Sequence, residues 1–297
     1  MKKGFIIAAI VLISVGILLF TGALIAADFD YSKLGGTKHV TNTYALEGAF
    51  DNIDISVDEA DVIFKPVDEG GARAVCVERE KVRHTVEVEN GTLRIRAVDR
   101  RNPFDHLSFF SKSLSITVYL PRNDFDNISI RTATGDVRFD SLTANEIKLK
   151  TSTGDIRVSS VDCAGSISAT VSTGDIRFTG LNCKKLTTEG STGDITLKQV
   201  TAEEDFNIRR DTGDIMLDDC IAAEIAVKTS TGDVRFEDSD AEKLTVRTST
   251  GDVTGLLRTP KVFTVNTSTG DVSVPHSSEG GSCEIKTSTG DVRIKIN

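Results

Sequence analysis

The sequence predicts an all-β chain: a parallel β-solenoid of about nine 19–20-residue coils, with a small antiparallel sheet at its N-terminal end and one N-terminal transmembrane helix. Three observations lead there. Thr-Ser-Thr-Gly-Asp-Val, or a close variant, returns nine times at a fixed period; apolar and polar residues alternate around it; and the chain opens on an uncharged apolar run. A period of this length marks stacked repeats, and alternation by twos marks strands with one buried face.

Met1-Lys2-Lys3 precedes residues 4–27, a run of 24 residues without a charge. As a helix it would be about 36 Å long, enough to cross a ~30 Å hydrocarbon core with some tilt. Signal-peptide cores are shorter, roughly 7–15 residues, so length favours a retained anchor over cleavage after Ala26-Ala27. The lysine pair puts the N-terminus in the cytoplasm. The expectation is a single-pass cell-membrane protein: residues 1–27 hold the anchor, whose partner is the lipid bilayer through 4–27, and everything after Asp28 is extracytoplasmic.

Residues 28–43 read as a polar juxtamembrane spacer. In 44–121, Phe50-Asp51-Asn52-Ile53-Asp54-Ile55 matches Phe125-Asp126-Asn127-Ile128-Ser129-Ile130, which makes residues 50–64 a diverged first coil with Asp61-Val62 in the place of Asp136-Val137. The segment after it alternates strongly and contains Asn90-Gly91 between two such runs, a hairpin signal. Ser115 to Leu120 is a further strand, stopped by Pro121. These strands are expected to cap the solenoid as an antiparallel sheet. Phe104, Phe109 and Phe110 lie in the loop-like stretch between them, either as a partner-binding tip or packed onto that sheet.

Residues 122–297 are the repeats. Their Gly-Asp steps are Gly135-Asp136, Gly154-Asp155, Gly174-Asp175, Gly193-Asp194, Gly213-Asp214, Gly232-Asp233, Gly251-Asp252, Gly270-Asp271 and Gly290-Asp291. Inward positions before the step lie an even number of residues from Asp, and those after it an odd number. A pleated strand changes parity only at a kink, and glycine supplies the positive φ that a kink requires. Each repeat therefore reads as two short strands joined by a turn, with Thr two before Asp bonding local backbone groups.

Stacked aspartates ~4.8 Å apart repel by about 0.9 kcal/mol per pair even in water. Calcium could relieve this, but the spacing is not that of calcium-binding β-roll repeats. Arg138, Arg157, Arg177, Arg235 and Arg293, two after Asp, are counterions within the chain, as is a basic column five before Asp. The ladder thus reads as structural, with no metal and no cofactor.

Composition excludes other classes. A net charge of −9 argues against nucleic acid. No Trp and only 3 Tyr leave few stacking platforms. His39, His84, His106 and His276 show no ligand spacing, and no catalytic residues stand out. Of five cysteines, Cys163 and Cys183 share a column with Ala144, Ala202, Ala222 and Ala241, which favours small buried fillers over a disulfide framework. Only residues 292–297 follow the last Gly-Asp, so this strand is expected to be the membrane-distal edge, open to weak end-to-end self-association.

An N-terminal anchor, a hairpin-bearing first section ending in Leu120-Pro121, and Thr-Ser-Thr-Gly-Asp-Val coils resemble the bacterial putative-adhesin family of unknown function, found in cell envelopes. The resemblance covers residues 44–297 and brings no catalytic residues with it. It implies an envelope adhesin, scaffold or binding module that binds another envelope or membrane protein. The alternative is a regulatory accessory protein of a membrane stress-sensing system. A calcium-binding solenoid or a polysaccharide-active enzyme is less favoured.

Overall fold

The computed structural model describes residues 11–18, 20–22, 25, 39–67, 70–99, 114–121 and 124–297. The chain is all-β and stacks its repeats in parallel register, so that like residues lie over like. Ile156 pairs with Ile176 and Ile176 with Ile195, while Val158 pairs with Phe178 and Phe178 with Leu197. These inward columns form one continuous buried core.

All nine step glycines have φ between +118° and +150°, which L side chains rarely adopt. Stacking is the second reason for glycine. A Cβ on Gly154 would lie 2.2 Å from the carbonyl oxygen of Gly135, one coil away. The first six of these coils also bend again five residues after Asp, which differs from the two-strand reading. There Ser141, Ser160, Gln199, Asp219 and Asp238 take φ of +46° to +54°, and Gly180 +64°. A third short side follows and ends on the buried Ala/Cys column. Because this corner uses mostly ordinary side chains, it leaves no glycine signal.

Both ends depart from sequence order. At the N-terminal end, Asn52–Glu59 lies between Asp124–Thr134 and Thr92–Asp99: Ile53 pairs with Ile128 on one side and Leu93 on the other. Likewise Val62 pairs with Val137 and Ile116. Aromatic pairs follow the same 75-residue offset, with Phe50 stacked on Phe125 at 6.2 Å and Phe64 edge-on to Phe139 at 5.9 Å. Beyond this coil the strands turn antiparallel. Val82–Glu89 pairs with Thr92–Asp99 across Asn90-Gly91, and Arg73–Arg79 lies between Ser115–Leu120 and His39–Ala45.

At the distal end the last two coils exchange places. Gly281–Thr289 is wedged between Val234–Arg247 and Lys261–Thr269, with Cys283 pairing both Leu244 and Phe263. Val292 in turn pairs with both Val253 and Val272. The expected distal edge, residues 292–297, is therefore covered at Val292 and Arg293, and the outermost coil is the one carrying Asp271. The wedge needs Gly280-Gly281: a Cβ on Gly280 would sit 2.0 Å from the Pro260 oxygen, and one on Gly281 2.3 Å from the Glu242 oxygen. The chain skips a level through Arg258, which reaches Asp219 and Asp238, and through buried Lys261, paired with Asp240 at 2.5 Å.

Residues 11–18 and 20–22 are helical. Among the described residues no helix is long and apolar enough to cross a membrane. Much of the expected 4–27 span lies outside the described residues.

Candidate functional site

The Gly-Asp column runs unbroken from Asp61 to Asp271. One carboxylate oxygen of each Asp accepts the backbone N–H of the Asp in the next coil. Asp155 donates to Asp136 at 2.9 Å, Asp175 to Asp155 at 2.8 Å, and Asp194 to Asp175 at 2.8 Å. The column continues through Asp214, Asp233 and Asp252, starts from Asp61, and ends in the order Asp252, Asp291, Asp271. At four aspartates the other oxygen faces arginine two residues on: Arg138 to Asp136 at 2.5 Å, Arg157 to Asp155 at 2.5 Å, Arg177 to Asp175 at 2.8 Å and Arg293 to Asp291 at 2.5 Å, whereas Arg235, expected to do the same, turns to Glu237 at 2.5 Å. For Asp136, burial raises the carboxyl pKa, but the Asp155 N–H and the Arg138 guanidinium outweigh it and hold the group below the usual range. Asp291 is held low chiefly by the Asp271 N–H. The basic column five before Asp is not wholly directed at the ladder, since Arg247 and Lys286 both face Glu284.

The threonine that satisfies the kink is not the one two before Asp, which is exposed in every repeat. It is the residue four before. Buried Thr151 donates to the carbonyl oxygens of Gly135 at 3.0 Å and Thr153 at 3.2 Å, and Thr287 to Gly251 at 3.3 Å. Sequence inspection missed this column because it is broken in the middle, where Val171, Gly190 and Arg210 replace threonine. Arg210 mends the break. Its buried guanidinium donates to the carbonyls of Gly193 at 2.5 Å, Val171 at 3.1 Å and Gly174, spanning three coils. Gly190 leaves the room, since a Cβ there would meet Arg210 Nη1 at 1.7 Å. Burial lowers the Arg210 pKa, and Asp175, Asp194 and Asp211 oppose that shift.

Phe104, Phe109 and Phe110 lie outside the described residues. All five cysteines are free and buried, and burial pushes the Cys183 thiol up to about 12. A second site, which the sequence did not reveal, gathers Cys76, Glu78 and His84 in the N-terminal cap. Its signal is Cys-x-Glu on one strand face followed by a His just past a tight turn.

The ladder, the kinked coils and the hairpin-bearing first section decide the family. The model of the Toastrack DUF4097 domain matches residues 50–204 and 182–297. The chain belongs to this family. Among solved structures, this Toastrack chain is similar to a putative adhesin from Bacteroides fragilis, at 15% identity and a TM-score of 0.51, covering 88% of this chain and 99% of that one. It is also similar to a putative adhesin from Parabacteroides distasonis, with 13% identity, a TM-score of 0.48 and coverage of 88% and 98%. A putative lipid binding protein from the same species gives 15%, 0.44, 89% and 97%. At such identities the likeness is one of fold. No curated protein matches the chain.

Proposed function

We propose that this Toastrack chain is a membrane-anchored, extracytoplasmic scaffold or adhesin that acts by binding rather than by chemistry. The observation that carries this reading is the uncovered outermost coil. Val272 is 49% exposed, whereas Val253 and Val292 in the same column are fully buried. Phe263, Val265 and Val274 of that coil are only partly buried. The edge strand bears no charge from Val262 to Gly270, so it lacks the lysines and arginines that natural edges use against pairing. Arg293 cannot serve, because its stretch is paired on both sides.

The occupant is a second copy of the same coil. Two identical uncharged edges can meet about a two-fold axis in a closed, self-complementary contact. With each chain anchored through residues 4–27 at its other end, such pairing joins two facing envelope surfaces. This is adhesion between like molecules.

The test reconstitutes the full chain into lipid vesicles. The chain is expected to resist carbonate extraction and to cluster vesicles, and Val262→Lys with Thr264→Lys, both exposed, is expected to abolish clustering without loss of fold. Release by carbonate would remove the anchor. Clustering that persists in the lysine variant would remove the edge as its cause.

A further inference from the structure

The N-terminal end closes over the core with a polar cluster in place of another apolar layer. Cys76 and Glu78 stand two apart on Arg73–Arg79, so both point inward, and His84 comes from Val82–Glu89. All three are buried, and their donor atoms lie within 4.8 Å of one another. One Glu78 oxygen accepts the His84 backbone N–H at 2.6 Å and faces His84 Nδ1 at 3.0 Å. The other accepts from Asn42 Nδ2 at 2.5 Å. The Tyr44 hydroxyl donates to the His84 carbonyl at 3.3 Å.

A carboxylate out of water is costly unless a charge accompanies it. Among the described residues, the one group in ion-pairing distance of Glu78 is His84. Burial holds that imidazole toward its neutral form, against the pull of Glu78. Burial and then Glu78 push the Cys76 thiol up to about 12. Thiolate, carboxylate and neutral imidazole around a divalent cation sum to zero, and three such donors within 4.8 Å of one another make a compact donor set for one.

We propose that Cys76, Glu78 and His84 form a transition-metal site of the zinc class, with three protein ligands and one position left for water. The thiolate and imidazole select zinc and its neighbours over calcium or magnesium. Binding forms the metal–sulfur bond and sends the thiol proton to solvent; the carboxylate and imidazole enter without change of charge. Asn42 then acts as the outer hydrogen bond that orients the carboxylate. The metal would staple Arg73–Arg79 to Val82–Glu89, with His39–Ala45 held through Asn42, strands that the repeat ladder does not reach.

Cobalt(II) added to the full chain tests the site. The expected result is one bound ion per chain with thiolate-to-cobalt charge-transfer absorption, displaced by equimolar zinc. Cys76→Ser and His84→Gln are expected to lose the band, and Cys163→Ser to keep it. Absence of the band in the wild type at saturating cobalt, or its survival in either cap variant, overturns the proposal. Should those variants fail to fold, X-ray absorption of the zinc-loaded wild type decides. One sulfur in the first shell supports the site, and a shell of nitrogen and oxygen alone overturns it.

Discussion

The two ends of the solenoid solve the same problem differently. Each places a coil out of chain order: Asn52–Glu59 sits inside Thr92–Asp99, and Gly281–Thr289 sits inside Lys261–Thr269. The N-terminal end then turns its next strands antiparallel and closes over the core with Cys76, Glu78, His84, Asn42 and Tyr44. Among the described residues the distal end adds no such cover, and Val272 stands half open. One end is finished by a structure unlike the repeats, as solenoids generally require. The other presents a repeat with no successor. The difference separates what holds the molecule together from what it offers to others.

The sharpest way to break that comparison is to attack the stack that both ends share. Gly154→Ala puts a Cβ 2.2 Å from the Gly135 oxygen, whereas a Cβ on Gly91 in the cap hairpin meets nothing within 4 Å. Gly91 has φ +70° and Gly154 +137°, a region almost restricted to glycine, so the difference between the two losses measures stacking together with that backbone strain. Gly154→Ala is expected to lose about 4 kcal/mol or more, and Gly91→Ala about 1 kcal/mol, by urea unfolding. Equal losses would mean that neither the approach of successive coils nor the wider φ makes the step glycine more demanding than one in an open hairpin.

Arg210→Met is the next largest. It removes donors from the carbonyls of Val171, Gly174 and Gly193 while keeping most of the apolar stem. Buried acceptors left unpaired cost about 1–3 kcal/mol each at most, so a total loss of about 3 kcal/mol is expected. Thr151→Val, which removes a single hydroxyl from the same column, is expected to lose about 1 kcal/mol. If the two substitutions cost the same, Arg210 is a space-filler and the break in the column is not mended by it.

Much of the middle was legible because a repeat announces its own register. Ile156, Ile176 and Ile195 could be placed over one another by counting from Asp, and the kink at glycine followed from parity. At the N-terminal end the match of 50–64 to 125–139 and the Asn90-Gly91 hairpin were legible too, but the spatial order of the distal coils was not. When every coil carries the same Gly-Asp step and apolar columns, any coil can sit beside any other, and chain order says nothing about spatial order. Only Gly280-Gly281 and the charged crossing at Arg258 and Lys261 mark the exchange. The corner at Ser141 and Ser160 was hidden by ordinary residues in a left-handed conformation. The cap cluster was hidden because a hairpin, not a motif, brings His84 to Cys76 and Glu78.

Acid separates the ladder from the rest of the molecule. The carboxyls of Asp136 and Asp291 are depressed in the folded state. A depressed carboxyl contributes stability that is present above its unfolded pKa and lost as pH falls through its folded one. Tm is therefore expected to be flat on this account near neutrality and to fall below about pH 4, where free aspartate begins to protonate. The Asp136→Asn variant is expected to show a shallower fall. An unchanged acid limb would mean that its N–H and arginine partners do not favour the ionised form.

Calcium is expected to do least, and its effect sharpens the contrast between the two kinds of site. A hard cation needs six to eight oxygens at 2.3–2.6 Å. In the regular coils one oxygen of each ladder carboxylate already accepts a backbone N–H, and at Asp136, Asp155, Asp175 and Asp291 the other faces an arginine. Binding calcium there would forfeit a hydrogen bond that holds adjacent coils in register, so the ion has little to gain. Tight binding would instead stabilise the fold by about 4 kcal/mol at a thousandfold excess over Kd. Millimolar calcium is expected to leave Tm unchanged within about a degree, because such a gain would move it by several. Asp271 is the discriminating position, as the last aspartate of the column. A calcium-dependent rise in Tm that disappears in Asp271→Asn would place a cation at the open end. A rise that survives this substitution would mean that the inner carboxylates exchange their hydrogen bonds for metal.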